Sequence, residues 1–385
     1  MSRRRLRPTE GTTSRWERAL RVFAILTACF ALLMVSAYGA VLWFIEAPEV
    51  DRAPIYRAYA PIPLMEEIEM PEILDEDGNR IAIPVVPLPD GAGWRPGVYT
   101  ILLAGEDDGF GGNDVIMVVL FDTVERTLDV LSIPRDTVVN VPWGLKKINS
   151  IQHLHRYLPY NYPHYIYALR DEVANLIGYT TDHWITLDLG GFVTLVDALG
   201  GIEIEVPQRM LYSDPCQGLR IDLQPGLQHL NGQQAEGLIR FRNYADGDIS
   251  RIRMQHAFLE ALGDQLLSAR GLLAIDDLLR LFRDSVETDL TLRNLAFFAS
   301  EFMRLDPENI RFHTVDRSMA NIADSVNGVS YVTLFVEPWV EMINRYMNPF
   351  TFELFPADLE ILTRNPQTRQ FFTTNGAPWR NNWVR

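Results

Sequence analysis

The chain has 385 residues, 47% hydrophobic and 22% charged, which is enough for one large domain with accessory segments. Seven arginines against two glutamates give the first 21 residues a charge of +5, so the net charge of −15 leaves −20 on the remainder. Such an acidic body argues against DNA or RNA as a partner. The two cysteines, Cys29 and Cys216, provide neither a disulfide framework nor a cysteine metal site.

The first predicted element is a charge-free apolar run from Val22 to Phe44, long enough for the roughly 20 residues of a membrane helix. The basic segment before it predicts a cytoplasmic N-terminus. A cleaved signal peptide is the alternative, but the run exceeds the usual length of roughly 7 to 15 residues. We therefore predict a cytoplasmic segment over 1–21, a single-pass cell-membrane anchor over 22–45, and an extracytoplasmic location for all later residues.

Proline and acidic residues dominate the segment that follows the predicted anchor, over 46–96. This composition predicts an extended stalk. Arg80 to Val86 is a candidate edge strand, although the prolines around it disfavour a packed core.

Three strands are predicted in succession, over Val98–Leu103, Asp114–Phe121 and Leu128–Ile133. The short connection from Asp122 to Thr127 predicts an antiparallel hairpin between the second and third strands. The first strand then ends near Asp107, the second begins beside it at Asp114, and the third returns to finish near Arg135. The sequence therefore predicts that these three residues share one sheet edge.

Helices and strands then alternate along the chain. Helices are predicted over 164–177, 192–199, 231–240, 250–267, 292–305 and 332–346 and near Leu278, and strands over 183–189, 202–206, 219–223 and 310–315. Gly178 is a predicted helix stop, and Asn231 with Gln234 has capping-box spacing. The pattern predicts an α/β domain over 97–347, whose sheet has both faces covered. The remaining residues, 348–385, form an extension of unknown role.

Two aspartates, Asp107 and Asp114, flank the glycine-rich loop Gly109-Phe110-Gly111-Gly112. Glycines let the backbone of such a loop approach a ligand closely. Mg²⁺ prefers few carboxylates combined with phosphate oxygens and water. Aspartates in polar loops are otherwise turn formers. The pair is a candidate site for Mg²⁺, or for Mn²⁺ in its place, beside a diphosphate.

Cations follow these aspartates in three later segments. The candidate phosphate ligands are Arg135, Lys147, Arg240, Arg242 and Arg251. Lys146 is the other lysine of the chain, and residue type alone does not separate it from Lys147. Each cation has a plain alternative in a surface ion pair, a solvated turn or a match to a helix dipole. Taken with the aspartates, the set suits a pyrophosphate.

Other familiar site patterns are absent from the sequence. It contains no Gly-x-Ser-x-Gly elbow, no Walker loop and no zinc-type histidine spacing. His153 and His155 stand beside aromatic residues and are typical of a cleft wall rather than of a metal site. Phosphoryl transfer is therefore the favoured chemistry.

A series of motifs, in order along the chain, resembles the LytR-CpsA-Psr family of membrane-anchored enzymes that attach glycopolymers to the bacterial cell wall. The motifs are Leu102-Leu103-Ala104-Gly105-Glu106-Asp107, Asn113-Asp114, Leu131-Ser132-Ile133-Pro134-Arg135-Asp136, Lys147-Ile148-Asn149, Leu195-Val196-Asp197-Ala198-Leu199-Gly200-Gly201, Gly226 to Ala235, Arg240-Phe241-Arg242, and Asp248-Ile249-Ser250-Arg251 with Gln255. The likeness covers about Val98 to Tyr346.

The resemblance implies a mixed central sheet between helix layers, an α/β/α sandwich, with an apolar pocket for the tail of a polyprenyl-pyrophosphate-linked glycan. Asp107 and Asp114 would bind Mg²⁺, and the five cations would hold the pyrophosphate with support from Gln255. The implied catalytic residues are Arg135, Asp107, Asp114 and Arg251. A hydroxyl of peptidoglycan, or of another envelope acceptor, would attack the sugar-linked phosphorus. No general base is assigned.

The sequence departs from the family pattern at three positions. Family members commonly carry arginines where this chain has Gly109, Gly112 and Met254, and Arg253 lies one position out of register with the last. Fewer cations weaken a pyrophosphate clamp. The alternative is therefore a catalytically weakened polyprenyl-pyrophosphate-binding protein for envelope assembly. A regulatory role is a third hypothesis, because family members are often labelled transcriptional attenuators, although an acidic domain outside the cell cannot touch DNA.

Overall fold

The structure is a computed structural model. It describes residues 45–52, 73–74, 80–81, 92–106, 112–141, 144–155, 162–215, 218–241, 243–244, 248–267, 286–365 and 367–376. Among these residues no helix is long and apolar enough to cross a membrane. The predicted anchor, the predicted helix near Leu278, Asp107 and Arg242 all lie outside the described residues.

Strands and helices alternate along the described chain. The strands are β1 (Ile73–Leu74), β2 (Arg80–Ile81), β3 (Val98–Glu106), β4 (Asn113–Asp122), β5 (Thr127–Ser132), β6 (Val138–Val141), β7 (Gly144–Lys147), β8 (His183–Asp188), β9 (Ile202–Val206), β10 (Met210–Asp214), β11 (Leu219–Leu223), β12 (Gly226–Leu230), β13 (Val286–Thr288), β14 (Ile310–Thr314), β15 (Ala320–Val326), β16 (Val329–Leu334), β17 (Leu362–Arg364) and β18 (Phe371–Thr373). The α-helices are α1 (Ile151–Leu154), α2 (Tyr165–Ile177), α3 (Leu189–Ala198), α4 (Gly232–Arg240), α5 (Asp248–Leu267), α6 (Leu292–Phe302) and α7 (Val336–Met342).

The largest sheet has six strands in the order β13-β8-β3-β4-β5-β14. It is mixed, because β3 pairs in parallel with β8, and β5 with β14, while the other pairings are antiparallel. Helices cover both of its faces, so the predicted α/β class and mixed central sheet are confirmed. The predicted hairpin is confirmed as well, since β4 and β5 pair from Asp122↔Thr127 to Met117↔Ser132.

Alternate residues of the central strands point to opposite faces of the sheet. Leu102 and Ala104 of β3, with Ile116 and Val118 of β4, belong to a large buried core that includes the apolar side of α2. Trp339 of α7 is fully buried in the same core, and its indole N–H donates to the Leu176 carbonyl at 2.6 Å. We call this the closed face.

The opposite face carries α3, α4 and α5 together with two antiparallel strand pairs, β9–β12 and the hairpin β10–β11. A second apolar core joins the inward residues of these strand pairs to the helices, including Ile204, Ile221 and Leu238. The strict burial alternation along β9, with Glu203 and Glu205 exposed, explains why this strand was predictable. We call this the cavity face.

Local signals fix several helix boundaries. Asn231 and Gln234 form the predicted capping box, so α4 begins at Gly232. α2 ends at Ile177, and the next residue, Gly178, closes the helix as predicted with a left-handed φ of 85°.

The prediction of a helix over 332–346 is wrong in its first part. Val332 to Leu334 belong to β16, and α7 begins only at Val336. β15 and β16 form a hairpin whose turn is Asn327-Gly328, with φ of 53° and 79°. Asn-Gly is a strong signal for such a turn.

The segment after Asn348 is part of the closed-face core. Phe350, Leu354, Leu359 and Ile361 are buried there, and β17 pairs with β18. The extension therefore contributes to the folded domain, although it shows no clear periodicity in the sequence.

The two ends of the predicted stalk contact the domain. Arg52 binds Asp182 through both carboxylate oxygens, at 2.7 and 2.8 Å, and also donates to the Val98 carbonyl. Trp94 packs on Phe350 with ring centroids 4.6 Å apart. Between them, Arg80–Ile81 pairs with Ile73–Leu74, so the candidate edge strand belongs to a separate short hairpin.

The chain divides into two compact units, one comprising residues 1–49 with 291–300 and the other residues 50–290 with 301–385. In the first unit, Arg293 pairs with Glu46 at 2.8 Å and the Asn294 amide donates to the Glu46 carbonyl at 3.0 Å. The second unit contains the central sheet and the cavity described below.

Candidate functional site

A cavity of about 210 Å³ lies on the cavity face. Its apolar lining comes from the sheet and from α3, α4 and α5, and consists of Leu103, Ala104, Gly105, Val115, Met117, Ile185, Leu187, Leu189, Phe192, Leu195, Ile239, Phe258, Leu259 and Leu262. Five polar residues complete it, and we call them the polar lining: Asp114, Asp188, Arg240, Arg251 and Gln255. An apolar cavity with a few polar groups is the usual form of a small-molecule site.

An irregularity in strand pairing brings Asp114 into the cavity. Gly105 pairs with Val115, but the next residue, Glu106, pairs with Asn113, so Asp114 is an extra residue on β4. Such a bulge redirects a side chain that strict alternation would send to the other face. Asp114 and Val115 consequently both line the cavity although they are adjacent in sequence.

Charged side chains continue from Asp114 in a row of alternating sign. Arg135 Nη1 lies 2.6 Å from Asp114 Oδ1, Lys147 Nζ lies 3.0 Å from Asp136 Oδ1, and Arg135 Nε lies 3.9 Å from the same oxygen. All four side chains are partly buried, which makes these pairs stronger than exposed ones. The prediction that Asp114 and Arg135 share one sheet edge is confirmed.

The other predicted cations stand where α4 ends and α5 begins. Arg240 is the last residue of α4 and pairs with Glu236 at 2.6 Å. Phe241 is extended, so the chain has left the helix before Arg242. Arg251 is only 2% exposed, and Gln255 follows it one turn later on α5. The structure therefore gathers Asp114, Arg240, Arg251 and Gln255 in one lining.

Asp188 belongs to the polar lining but was not predicted as a site residue. It is the last residue of β8, and its Oδ1 accepts a hydrogen bond from the Gly191 N–H at 2.6 Å as the N-cap of α3. A signal was present, because ligands of α/β sheets bind beyond the carboxyl ends of strands. Tyr244 packs against the second apolar core and does not line the cavity; burial raises its pKa to about 12, against the opposing effect of Arg251.

The histidines proposed as a cleft wall do not line this cavity. His153 lies in α1 and His155 directly follows it, and Ile151 of the same helix is buried in the core of the closed face. His155 Nδ1 lies 2.9 Å from the Gln152 carbonyl oxygen. The prediction failed because aromatic neighbours do not reveal which face of the sheet a segment covers.

A different histidine, His256, is buried beside the cavity. Its Nε2 lies 2.6 Å from Ser132 Oγ, and its Nδ1 lies 3.2 Å from Thr314 Oγ1. Burial, and then the charge of His313, lower its pKa to about 4. A neutral His256 therefore joins α5, which carries Arg251 and Gln255, to strands β5 and β14.

Two departures from the family pattern have structural reasons. Gly112 has a φ of +76°, and a Cβ there would lie 2.1 Å from the Asn149 carbonyl oxygen. Met254 is 9% exposed and packs in the second apolar core, whereas Arg253 is exposed. Neither position can hold an arginine that reaches the polar lining without a change of backbone or the burial of a charge in an apolar core. Gly109 lies outside the described residues.

The fold and the cavity define a class: an α/β protein with an apolar cavity whose polar lining combines carboxylates with guanidinium groups. The LytR_cpsA_psr family model matches residues 94–346, more than half of the chain. The chain therefore belongs to the LytR-CpsA-Psr family.

Named relatives include the probable cell wall biosynthesis protein LcpB of Corynebacterium glutamicum, 39% identical over 160 residues, which are 41% of this chain and 35% of that protein. The polyisoprenyl-teichoic acid--peptidoglycan teichoic acid transferase TagV of Bacillus subtilis is 31% identical over 207 residues, 50% of each chain. The chain thus spans half or less of the length of these two relatives.

Solved structures share the fold. The crystal structure of B. subtilis TagV has a TM-score of 0.54 at 23% identity, covering 66% of this chain and 98% of that one. A structure of TagT bound to LI-WTA has a TM-score of 0.50 at 22% identity, covering 69% of this chain and 93% of that one.

Proposed function

We propose that this protein is a membrane-anchored, extracytoplasmic phosphotransferase that moves a glycopolymer from a polyprenyl-pyrophosphate carrier to a cell-wall acceptor such as peptidoglycan. The observation that carries the proposal is the combination, in one cavity, of an extended apolar lining with Asp114, Arg240 and Arg251. The apolar walls suit a lipid tail, and the guanidinium groups suit the diphosphate attached to it. The named activity of TagV supports the same reaction class.

The carboxylates of the site are suited to Mg²⁺. Asp114 supplies carboxylate oxygen in the cavity lining, where phosphate oxygens of a bound substrate would be near it. Few carboxylates together with phosphate oxygens are what Mg²⁺ prefers, so the residues fit. Asp107 and Asp114 would hold the ion, and Mn²⁺ would serve in its place. When bound, the ion would neutralise charge on the phosphate oxygens.

The reaction forms a bond between an acceptor hydroxyl oxygen and the sugar-linked phosphorus, and polyprenyl phosphate leaves. Arg240 and Arg251 would neutralise the negative charge that grows on the bridging and leaving oxygens. Arg135, oriented by Asp114, would bind a phosphate oxygen, and Lys147 with Asp136 would hold Arg135 in place. Gln255 and Arg242 would complete the contacts to the diphosphate.

The test uses the full chain in detergent with a synthetic polyprenyl-pyrophosphate disaccharide and peptidoglycan oligomers. Transfer of the sugar phosphate is expected with Mg²⁺, loss of transfer with a chelator, and recovery with Mg²⁺ or Mn²⁺. Arg135→Ala and Asp114→Ala are expected to reduce the rate at least 100-fold. Arg209→Ala, which removes an exposed ion pair with Asp222, is the matched control and should keep the full rate. Full activity in both site variants would refute the site assignment.

The location proposal has its own test. Protease added to intact cells should digest residues after the anchor while sparing the first 21. Protection of the C-terminal domain in intact cells, with digestion only after lysis, would contradict an extracytoplasmic domain.

A second candidate function is a carrier-binding protein with weak catalysis in envelope assembly. The buried position of Met254 and the close approach at Gly112 favour it, because both remove cations from the expected clamp. Tight binding of the polyprenyl-pyrophosphate disaccharide without transfer would support this candidate over the first.

A further inference from the structure

Asp188 is a second carboxylate in the cavity, and any catalytic role for it rests on the proposed phosphotransferase function. It lines the same cavity as Asp114, Arg240 and Arg251. Of these residues, only the two aspartates can accept a proton from a hydroxyl group near neutral pH.

Strand pairing places Asp188 close to the other polar residues of the lining. Glu106, at the end of β3, pairs with Asp188 on one side and with Asn113 on the other. Neighbouring strands lie about 4.8 Å apart, so the Asp188 backbone is roughly 10 Å from Asn113, the neighbour of Asp114. Asp114 and Asp188 therefore line the cavity from strands on either side of β3, and the space between these strands admits a phosphoryl group and an attacking hydroxyl.

The two aspartates differ in what they already bind. Asp114 Oδ1 is held by the Arg135 guanidinium at 2.6 Å, which makes that carboxylate a poor proton acceptor. Asp188 uses Oδ1 to cap α3 through the Gly191 N–H, and its Oδ2 has no hydrogen-bond partner among the residues that the structure describes. One oxygen thus fixes the side chain and the other is available to a ligand.

We propose that Asp188 is the general base of the transfer reaction. As the acceptor hydroxyl oxygen forms its bond to the sugar-linked phosphorus, the hydroxyl proton passes to Asp188 Oδ2. The bond from that phosphorus to the bridging oxygen breaks, and its electron pair leaves with polyprenyl phosphate. The products are the acceptor phosphodiester, polyprenyl phosphate and a protonated Asp188, which loses its proton to water.

The plain alternative is that Asp188 serves only as an N-cap. Asparagine caps helices as well as aspartate does but cannot take up a proton. Asp188→Asn therefore separates the two roles. Asp197→Asn is the matched control, because Asp197 is an exposed carboxylate of the same helix that also accepts from a backbone N–H, that of Gly232 at 2.8 Å.

The experiment measures transfer from the polyprenyl-pyrophosphate disaccharide by the full chain in detergent. Asp188→Asn is expected to lower kcat by about 100-fold or more, the usual contribution of a general base, while KM for the donor and the melting temperature stay unchanged. Asp197→Asn should keep kcat within about twofold. Asp188→Ser, which retains a capping oxygen and leaves space, should regain activity when formate is added.

The outcomes separate this proposal from the one on which it rests. If the unsubstituted protein transfers the sugar phosphate and Asp188→Asn keeps its kcat, only the base assignment is overturned. A loss in Asp188→Asn with no formate rescue of Asp188→Ser also overturns it, since a purely structural defect would give that result. If the unsubstituted protein binds the donor without transfer, the phosphotransferase function fails and the base role with it.

Discussion

The two faces of the central sheet use the same strands for different purposes. Leu102 and Ile116 point into a core that closes around α2 and α7, whereas Leu103 and Val115, the adjacent residues, line the cavity. Apolar surface without packing contacts lowers the stability of the fold, so packing on the closed face has to offset the stabilisation that the cavity face lacks. Because side chains alternate between the two faces with a period of two residues, one strand supplies both core residues and residues that line the cavity.

The largest test of this comparison substitutes two adjacent leucines. Leu102→Ala removes a side chain that is 0% exposed and should lower the free energy of unfolding by about 3 kcal/mol or more. Leu103→Ala only enlarges an existing cavity and should cost about 1 kcal/mol. Urea unfolding of both variants in detergent gives the two values. Equal losses would show that the two faces do not differ in this way.

The next largest effect concerns the attachment of α5 to the cavity face through His256. The unfolded histidine takes up a proton below its ordinary pKa of about 6.5, but the folded one does so only near 4. Between these values the unfolded state binds more protons, so stability falls as pH drops from 6.5 to 4, by about 3 kcal/mol. The groups facing the ring are Ser132, Thr314, His313 and Phe312.

His256→Gln keeps an amide donor and acceptor between the two hydroxyls and should remove this part of the pH dependence. The measurement is the free energy of unfolding at several pH values, read as the difference between the variant and the unsubstituted protein. His153→Gln, at an exposed histidine, is the control and should leave the curve unchanged. A curve for His256→Gln that still falls to the same extent would contradict the assignment.

The smallest effect tests the close backbone approach beside the cavity. Gly112→Ala should cost about 2 kcal/mol, because its φ of +76° disfavours a Cβ and that atom would meet the Asn149 carbonyl. Gly328→Ala has nearly the same φ, +79°, but nothing lies within 4 Å of its Cβ, so it should cost about 1 kcal/mol. Melting curves of the two variants isolate the cost of the contact with the Asn149 carbonyl. A smaller loss of stability for Gly112→Ala than for Gly328→Ala would contradict this close approach.

Local patterns made part of the fold predictable from the sequence. The apolar runs of β4 and β5, separated by a short connection, fixed their pairing, and with it the meeting of Asp114 and Arg135. The capping box at Asn231 could be recognised in the sequence because both of its partners lie within four residues.

Long-range geometry explains what the sequence did not reveal. The bulge at Asp114 depends on how β3 and β4 meet, and the role of Asp188 in the lining depends on helices that pack from elsewhere in the chain. The burial of Phe350 and Ile361 follows from distant partners and leaves no periodic trace. The Asn327-Gly328 turn is the exception, since its signal was local and was overlooked.

The bidentate ion pair between Arg52 and Asp182 has a mechanical consequence. Asp182 immediately precedes β8, and Val98 is the first residue of β3. Arg52 therefore binds the starting ends of these two parallel strands. β3 has nine residues and is about 26 Å long, so the Arg52 contacts are far from Asp188, which lies at the other end of β8. A pull on the chain before Arg52 would therefore act on the starting ends of β3 and β8, at a distance from the polar lining.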